Sequence, residues 1–342
     1  MDLQAIWFFL WGLCWAVFFI TDGFDFGIGT LLPVLGKTES DRRIMINAMG
    51  PLWDGNEVWL LTAGGVTFAA FPLVYAVMFS SLYTALMLLL FALILRGVSF
   101  EFRGKVANQS WKKVWDTCIF LGSFLPASLL GVAFANIFKG LPIDADGIFR
   151  GNLFTLLNPY GLLGGVLFVL LFLVHGTLWL AIKSEGDLHD RTVAISQKLW
   201  PALLAAAVLF LIATAYFTPL YNNYLAHPVL FIVLLLAVAG LLGTFRFTRI
   251  QAYFKAWFSS AVTIFSCTFF GIIGLFPNML PSNMDPSFSL TARNASSSPL
   301  TLKIMLIVVV LFLPIVLAYQ IWTYNLFKEK VTVADLADEE AY

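Results

Sequence analysis

The sequence predicts an all-α integral membrane protein of nine transmembrane helices, with its N-terminus outside and its C-terminus in the cytoplasm. Three observations carry this expectation. First, residues of the AVILMFWYC set make up 60% of the 342 positions and charged residues only 12%, against about 45–50% and about 25% in soluble domains. A soluble core has no room for that much apolar surface, whereas a bilayer does. Second, the apolar runs have bilayer length. Third, the basic residues gather in alternate loops. The formal net charge is zero, which argues against a nucleic-acid partner.

A membrane helix needs about 20 apolar residues. Such spans fall near 5–34, 52–75, 77–98, 114–138, 160–182, 200–220, 228–245, 257–278 and 302–326. The first is expected to be retained, because Met1-Asp2-Leu3-Gln4 has no basic region and no A-x-A-like cleavage site follows. The second and third are separated only by a tight turn expected at Ala76–Phe79.

The loops test the count. With the N-terminus outside, the inner loops hold Lys37, Arg42 and Arg43, then Arg96, Arg103, Lys105, Lys112 and Lys113. Next come Lys183, Arg191 and Lys198, then Arg246, Arg249 and Lys255, and finally Lys328 and Lys330 in the tail. Only Lys139, Arg150, Arg293 and Lys303 fall outside. That asymmetry matches the positive-inside rule, and removing one span would scramble it. The outer segments Lys139–Pro159 and Asn278–Thr301 are rich in Gly, Pro, Asn and Ser and read as ordered caps. Asn294-Ala295-Ser296 has the form of a glycosylation sequon, to which no role is attached.

Acids inside the membrane are costly and mark functional positions. Asp22 and Asp25 stand in Thr21-Asp22-Gly23-Phe24-Asp25-Phe26-Gly27, where they are expected to interrupt the first helix. Asp54 and Glu57 open the second helix. Each pair has i,i+3 spacing and so shares one helix face. Gly23, Gly27, Gly29 and Gly55 allow a close neighbour or an irregular turn. At a rise of about 1.5 Å per residue, Asp25 lies about 15 Å inward from Leu35, and Asp54 lies near the cytoplasmic end of its helix. The four acids can form a protonatable ladder running inward. The structural alternative is that Asp22, Asp25 and Asn56 cap broken helix ends or pair with Arg42 and Arg43.

His175 is the sole histidine within a span, since His189 and His227 lie in loops. A bis-histidine haem site needs two, so His175 reads first as a hydrogen-bonded interface residue and only second as a haem ligand. Cys14, Cys118 and Cys267 are isolated small hydrophobes, with no CxxC or Cys/His cluster to hold metal. Trp7, Trp11 and Trp15 form an i,i+4 stripe expected to anchor the first helix at the outer interface. A groove for a quinone or lipid tail is the alternative.

The motifs point to one family. Arg42-Arg43-Ile44-Met45-Ile46-Asn47, Pro51-Leu52-Trp53-Asp54-Gly55-Asn56 and Val58-Trp59-Leu60 resemble the signature of subunit II of cytochrome bd-type quinol oxidases. The Thr21–Gly27 run resembles that family's first helix. So do Gly122-Ser123-Phe124-Leu125-Pro126, Gly131-Val132-Ala133-Phe134, Leu157-Asn158-Pro159-Tyr160-Gly161 and the Asn294–Thr301 segment, which carries the resemblance along essentially the whole chain.

The resemblance implies two four-helix bundles, 1–139 and 155–280, a peripheral ninth helix at 300–327, and a cytoplasmic tail at 328–342. It implies a partner, subunit I, that holds two b-type haems and haem d, with small accessory subunits and a structural quinone in this chain left open. The implied complex is an electrogenic quinol:oxygen oxidoreductase of the bacterial cytoplasmic membrane that draws protons from the cytoplasm. Asp54 matches the family position for proton uptake at the subunit interface, and Asp22 and Asp25 match acidic positions of the first helix. Two features depart from some members. Glu57 stands where they have Gln, and only about Tyr221–His227 joins the sixth and seventh spans where they have a longer segment. The competing reading is a proton-coupled secondary transporter, which uses broken, glycine-rich helices bearing acids.

Overall fold

The computed structural model describes residues 2–337; the acidic end of the tail, 338–342, lies outside the described residues. In chain order the helices are α1 (Leu3–Leu35), α2 (Glu39–Asn47), α3 (Trp53–Ala70), α4 (Pro72–Ser81), α5 (Tyr83–Phe102), α6 (Gln109–Lys139) and α7 (Leu153–Leu156). They continue with α8 (Pro159–Lys183), α9 (Gly186–Phe217), α10 (Tyr221–Ala226), α11 (Ile232–Arg249), α12 (Tyr253–Leu275) and α13 (Pro299–Leu326). Among the described residues, eight are long and apolar enough to cross a membrane: α1, α5, α6, α8, α9, α11, α12 and α13. α3, with Asp54, Asn56 and Glu57 in its first turns, is not among them.

The expected turn at Ala76–Phe79 is not there, because those residues lie inside α4. The chain breaks instead at Phe71–Pro72 and at Leu82. Proline has no N–H to continue the ladder of α3 and is well placed to open α4. Two carbonyls freed at the end of α3 are taken by Ser297, whose N–H donates to Ala70 O at 2.8 Å and whose hydroxyl donates to Ala69 O at 2.7 Å. The Asn278–Thr301 cap thereby holds the end of α3. The cap is ordered by a two-stranded antiparallel ladder, β1 (Asn278–Leu280) with β2 (Leu290–Thr291), and by a bridge from Leu141 to Ser282. The sequon side chain of Asn294 is spent inside this cap, donating to Ser289 O and accepting from Thr291 N–H.

α1 is the hub. It packs against α3 and α6 on one side and α8 and α12 on the other. Glycines make these crossings close. A Cβ on Gly27 would meet Phe172 O at 1.9 Å, and one on Gly176 would meet Phe24 O at 2.8 Å. Backbone therefore lies on backbone where α1 crosses α8, and dispersion from such close contact is what drives helices together in lipid. Aromatic rings fill the rest, with Phe8, Phe18, Phe19, Phe24 and Phe26 at most 1% exposed.

The tryptophan stripe belongs to this core and not to the membrane interface. Trp7, Trp11 and Trp15 are 1%, 1% and 8% exposed. Trp7 Nε1 donates to Leu302 O at 2.9 Å, tying α1 to α13, and Trp11 Nε1 donates to Thr67 Oγ1 at 2.9 Å, tying α1 to α3. The stripe points inward because α1 is surrounded by α3, α6, α8 and α12, so little of the helix meets lipid.

At the end bearing α2, ion pairs lash the helices together. Arg103 donates to Glu39 through both terminal nitrogens (3.1 and 3.0 Å) and to Asp116 through Nε (2.5 Å). Arg42 reaches Asp116 at 3.2 Å, Lys112 reaches Glu39 at 2.7 Å, and Arg191 reaches Asp41 at 2.7 Å. Two of the expected loop segments are helical here. α2 forms within the first, started by a reciprocal Thr38–Asp41 capping box, and α9 begins at Gly186 and absorbs Arg191 and Lys198.

Burial alone would raise the Glu39 pKa, but hydrogen bonds and charge from Arg103 and Lys112 outweigh it and hold the carboxyl below its usual value. A depressed folded pKa gives stability that is present above the usual value of 4.5 and lost as pH falls through the depressed one. Glu39→Gln should therefore lower the thermal midpoint of the solubilised protein at neutral pH. The gap to wild type should close as the pH drops below 4.5. A gap that acid leaves unchanged would contradict this role.

Candidate functional site

α1 runs through the Thr21–Gly27 motif without a break, so Asp22 and Asp25 cap nothing. Both are fully buried; Asp25 is met by Asn56 of α3 and Asp22 by a side chain from α5. The cation that meets them is Arg96. Its guanidinium Nη2 donates to Asp22 Oδ1 at 2.8 Å and Oδ2 at 3.0 Å and lies 3.3 Å from Glu57 Oε1. Its Cζ sits 4.4 Å from the centre of the Phe26 ring.

Arg96 is 0% exposed inside α5 and is therefore not the inner-loop residue the sequence reading made it. Arginine after a long apolar run reads as a loop flank. Here the helix continues through Gly97-Val98-Ser99-Phe100, and Gly122 of α6 lets α5 approach until its Cβ position is 2.7 Å from the Arg96 Cβ. The sequence did hold a signal: two pairs of intramembrane acids require a cation at the same depth, and Arg96 is the basic residue embedded in the α5 run. Arg42, proposed as an alternative partner, is engaged with Asp116.

Among the described residues Asp25 has no salt bridge; it takes part in a polar chain instead. Asn56 Nδ2 donates to Asp25 Oδ2 at 2.7 Å, and the Tyr324 hydroxyl donates to Asn56 Oδ1 at 2.8 Å. Asn56 is fully buried and bridges α1 to α13 through α3. Neither Asn56 as a bridge nor Tyr324 was expected. An amide inside a helix carries no spacing signature, and Tyr324 lies 268 residues from its partner.

Asp54 stands apart from this cluster. It is exposed, and its Oδ1 accepts from the N–H of Gly55 at 2.7 Å. Gly55 has nothing within 4 Å of its Cβ position among the described residues, so the close neighbour expected there is not found. The outward stripe of α3 continues through Val58, Leu61 and Phe68, which are 49%, 74% and 61% exposed. Asp54, Asn56 and Tyr324 meet at one groove of about 530 Å³ between α1, α3 and α13, apolar along most of its length and polar at this end. Trp7 and Trp59 also line it.

His175 is 0% exposed, with Nδ1 3.1 Å from Ser260 Oγ and Nε2 3.0 Å from Ile20 O. It is the hydrogen-bonded interface histidine expected, and both ring nitrogens are engaged. Among the described residues no group of three or more His, Cys, Asp or Glu side chains is arranged to hold a metal ion. The three cysteines are free; Cys14 is buried, and Cys118 and Cys267 are partly so.

Comparison with known proteins places this architecture. The family model described as cytochrome bd terminal oxidase subunit II matches residues 3–327. The chain is 38% identical to the cytochrome bd ubiquinol oxidase subunit 2 of Bacillus subtilis, with 97% of each chain covered. It is 37% identical to the cytochrome bd-I ubiquinol oxidase subunit 2 of Escherichia coli, over 98% of this chain and 96% of that one. A probable cytochrome oxidase subunit 2 of Haemophilus influenzae is 40% identical over 94% of this chain and 93% of its own. The fold matches a chain in the structure of the bd oxidase from Geobacillus thermodenitrificans, with a TM-score of 0.78 at 16% identity, over 96% of this chain and 99% of that one. An all-helical chain with buried intramembrane acids and a match along nearly its whole length belongs to the cytochrome bd terminal oxidase subunit II family.

Proposed function

We propose that this chain is the haem-free subunit of a quinol:oxygen oxidoreductase. It docks on a haem-bearing subunit I and takes protons from the cytoplasm toward the site of oxygen reduction. Family membership supports the complex, and the relatives' names supply quinol as the substrate. The observation that carries the proton role is the polar chain from Asp25 through Asn56 to Tyr324, which opens on the groove where Asp54 stands. Asp22 and Glu57 border that chain through Arg96. The haems, two b-type and one d, belong to subunit I in this reading. His175 has both nitrogens engaged, which speaks against iron ligation here. The apolar stretch of the groove suits a quinone or lipid tail. A proton-coupled carrier is disfavoured, since α1 is continuous where such carriers use broken helices.

In this reading α3 is the ninth span. Its 18 residues rise about 27 Å, close to the roughly 30 Å hydrocarbon core. The chain then forms two bundles, 1–139 and 155–280, with α13 peripheral. The N-terminus is outside, and the α2 end faces the cytoplasm of a bacterial cell. Reporter fusions after Lys105 and Lys255 should read cytoplasmic, and those within 144–152 and 281–298 external. A cytoplasmic signal from either outer segment would contradict the nine-span topology.

Asp54 is the direct test of proton uptake. Asn keeps its volume and its capping ability but exchanges no proton. Asp54→Asn should leave the complex assembled with normal haem content and slow quinol oxidation about tenfold or more. Near-normal turnover by the fully assembled variant would refute the assignment.

A further inference from the structure

Three carboxyls, Asp22, Asp25 and Glu57, surround one arginine, and their protonation need not be alike. Asp22 receives hydrogen bonds on both oxygens from Arg96 Nη2, an arrangement that fits an ionised carboxylate. Glu57 lies 3.3 Å from the same nitrogen, with its side chain 20% exposed at the edge of the cluster. Asp25 is 0% exposed. Its Oδ2 accepts from Asn56, while its Oδ1 meets no donor among the described residues.

A buried carboxylate oxygen without a donor bears the full desolvation cost. A proton on Oδ1 removes that cost by turning the acceptor into a donor. A recipient is at hand, since the i,i+3 spacing on continuous α1 puts the Asp22 and Asp25 carboxyls on one face and within hydrogen-bonding reach. Two carboxyls that close cannot both ionise beside a single cation already committed to one of them.

We infer that Asp25 is the proton-loading residue of this chain. It rests neutral, with its proton on Oδ1 directed at the Asp22 carboxylate that Arg96 holds ionised, and Tyr324–Asn56 fixes its other oxygen toward the groove. Asn56 is an amide and carries no proton itself. Exchange between the groove and Asp25 therefore requires the Asn56 contact to open, which makes the Tyr324–Asn56 pair a positioning gate. This rests on the proton-uptake reading above and divides labour within it: Asp54 collects at the surface, Asp25 stores, and Asp22 with Arg96 is a fixed ion pair.

The test uses the complete complex with its haem-bearing subunit. The infrared spectrum of resting wild type minus Asp25→Asn should show a protonated carboxyl stretch that shifts in D2O. Wild type minus Asp22→Asn, recorded on the fraction of that variant that still assembles, should shift this band without removing it. Because Asn mimics a neutral Asp, Asp25→Asn should assemble with a thermal midpoint close to wild type, whereas Asp22→Asn should lose assembled complex. Turnover of Asp25→Asn should fall about tenfold or more, and Tyr324→Phe should slow it at normal haem content. A missing carboxyl band, or a band that belongs to Asp22, would overturn the inference. Normal turnover of Asp25→Asn with slow Asp54→Asn would remove the storage role and leave proton uptake standing; normal turnover of both would remove both.

Discussion

The buried ion pair between Asp22 and Arg96 is the constraint around which the first half of the molecule is arranged. Both side chains are completely buried in helices surrounded by hydrocarbon and aromatic rings. Neither charge is tolerable there alone: removing one partner of a buried pair typically costs about 3–5 kcal/mol. The pair can form only if α5 and α1 sit at one register and depth, and the glycines make that possible. Gly122 brings α6 against the Arg96 backbone, and Gly27 brings α8 against α1. Once the pair is fixed, α3 is placed as well, because Glu57 reaches Arg96 and Asn56 reaches Asp25 from consecutive positions at its start.

The two sides of α3 then acquire different tasks. Its inner side carries Asn56 and Trp59 into the groove beside α13, where Trp59 Nε1 donates to Gln320 at 3.0 Å. Its outer side offers Asp54, Gly55 and a run of exposed apolar residues to whatever lies outside the chain. α13 is attached lightly, with Leu302 its one fully buried residue. It is held by side-chain hydrogen bonds from Trp7 and Trp59 and by Tyr324 on Asn56. Lys183 adds a further tie beyond the helix end, donating to the carbonyl of Phe327 and, at 3.2 Å, to that of Glu329. A weakly packed helix beside a polar chain is where a path in a membrane protein can open at small energetic cost.

Much of this was legible in the sequence. Apolar run lengths located the long helices, although the span expected at 77–98 is displaced to α5 at Tyr83–Phe102 and α9 begins well before its apolar part. The acids were singled out because a bilayer penalises charge in a way that composition reveals. What escaped has common physical causes. The Phe71–Pro72 break was missed because apolar periodicity does not distinguish a span from a span plus a short helix. Arg96 was assigned to a loop because a cation ending an apolar run looks the same whether it faces water or a buried acid. Trp7, Trp11 and Trp15 were read as interfacial because tryptophan's usual habitat outweighed the absence of any information on what surrounds α1. Asn56–Tyr324 is a pairing between distant segments, and distance along one chain leaves no local trace.

A double-mutant cycle on Asp22→Asn and Arg96→Gln in the assembled complex tests the central constraint most directly. If the pair organises the bundle, each single variant should lose most of the assembled protein or several degrees of thermal midpoint. The double variant, which leaves only the partly exposed Glu57 without its cation, should recover a substantial part, giving a coupling energy of a few kcal/mol. Additive losses, with the double variant worse than either single one, would show that the two residues do not act as a pair and would contradict the account.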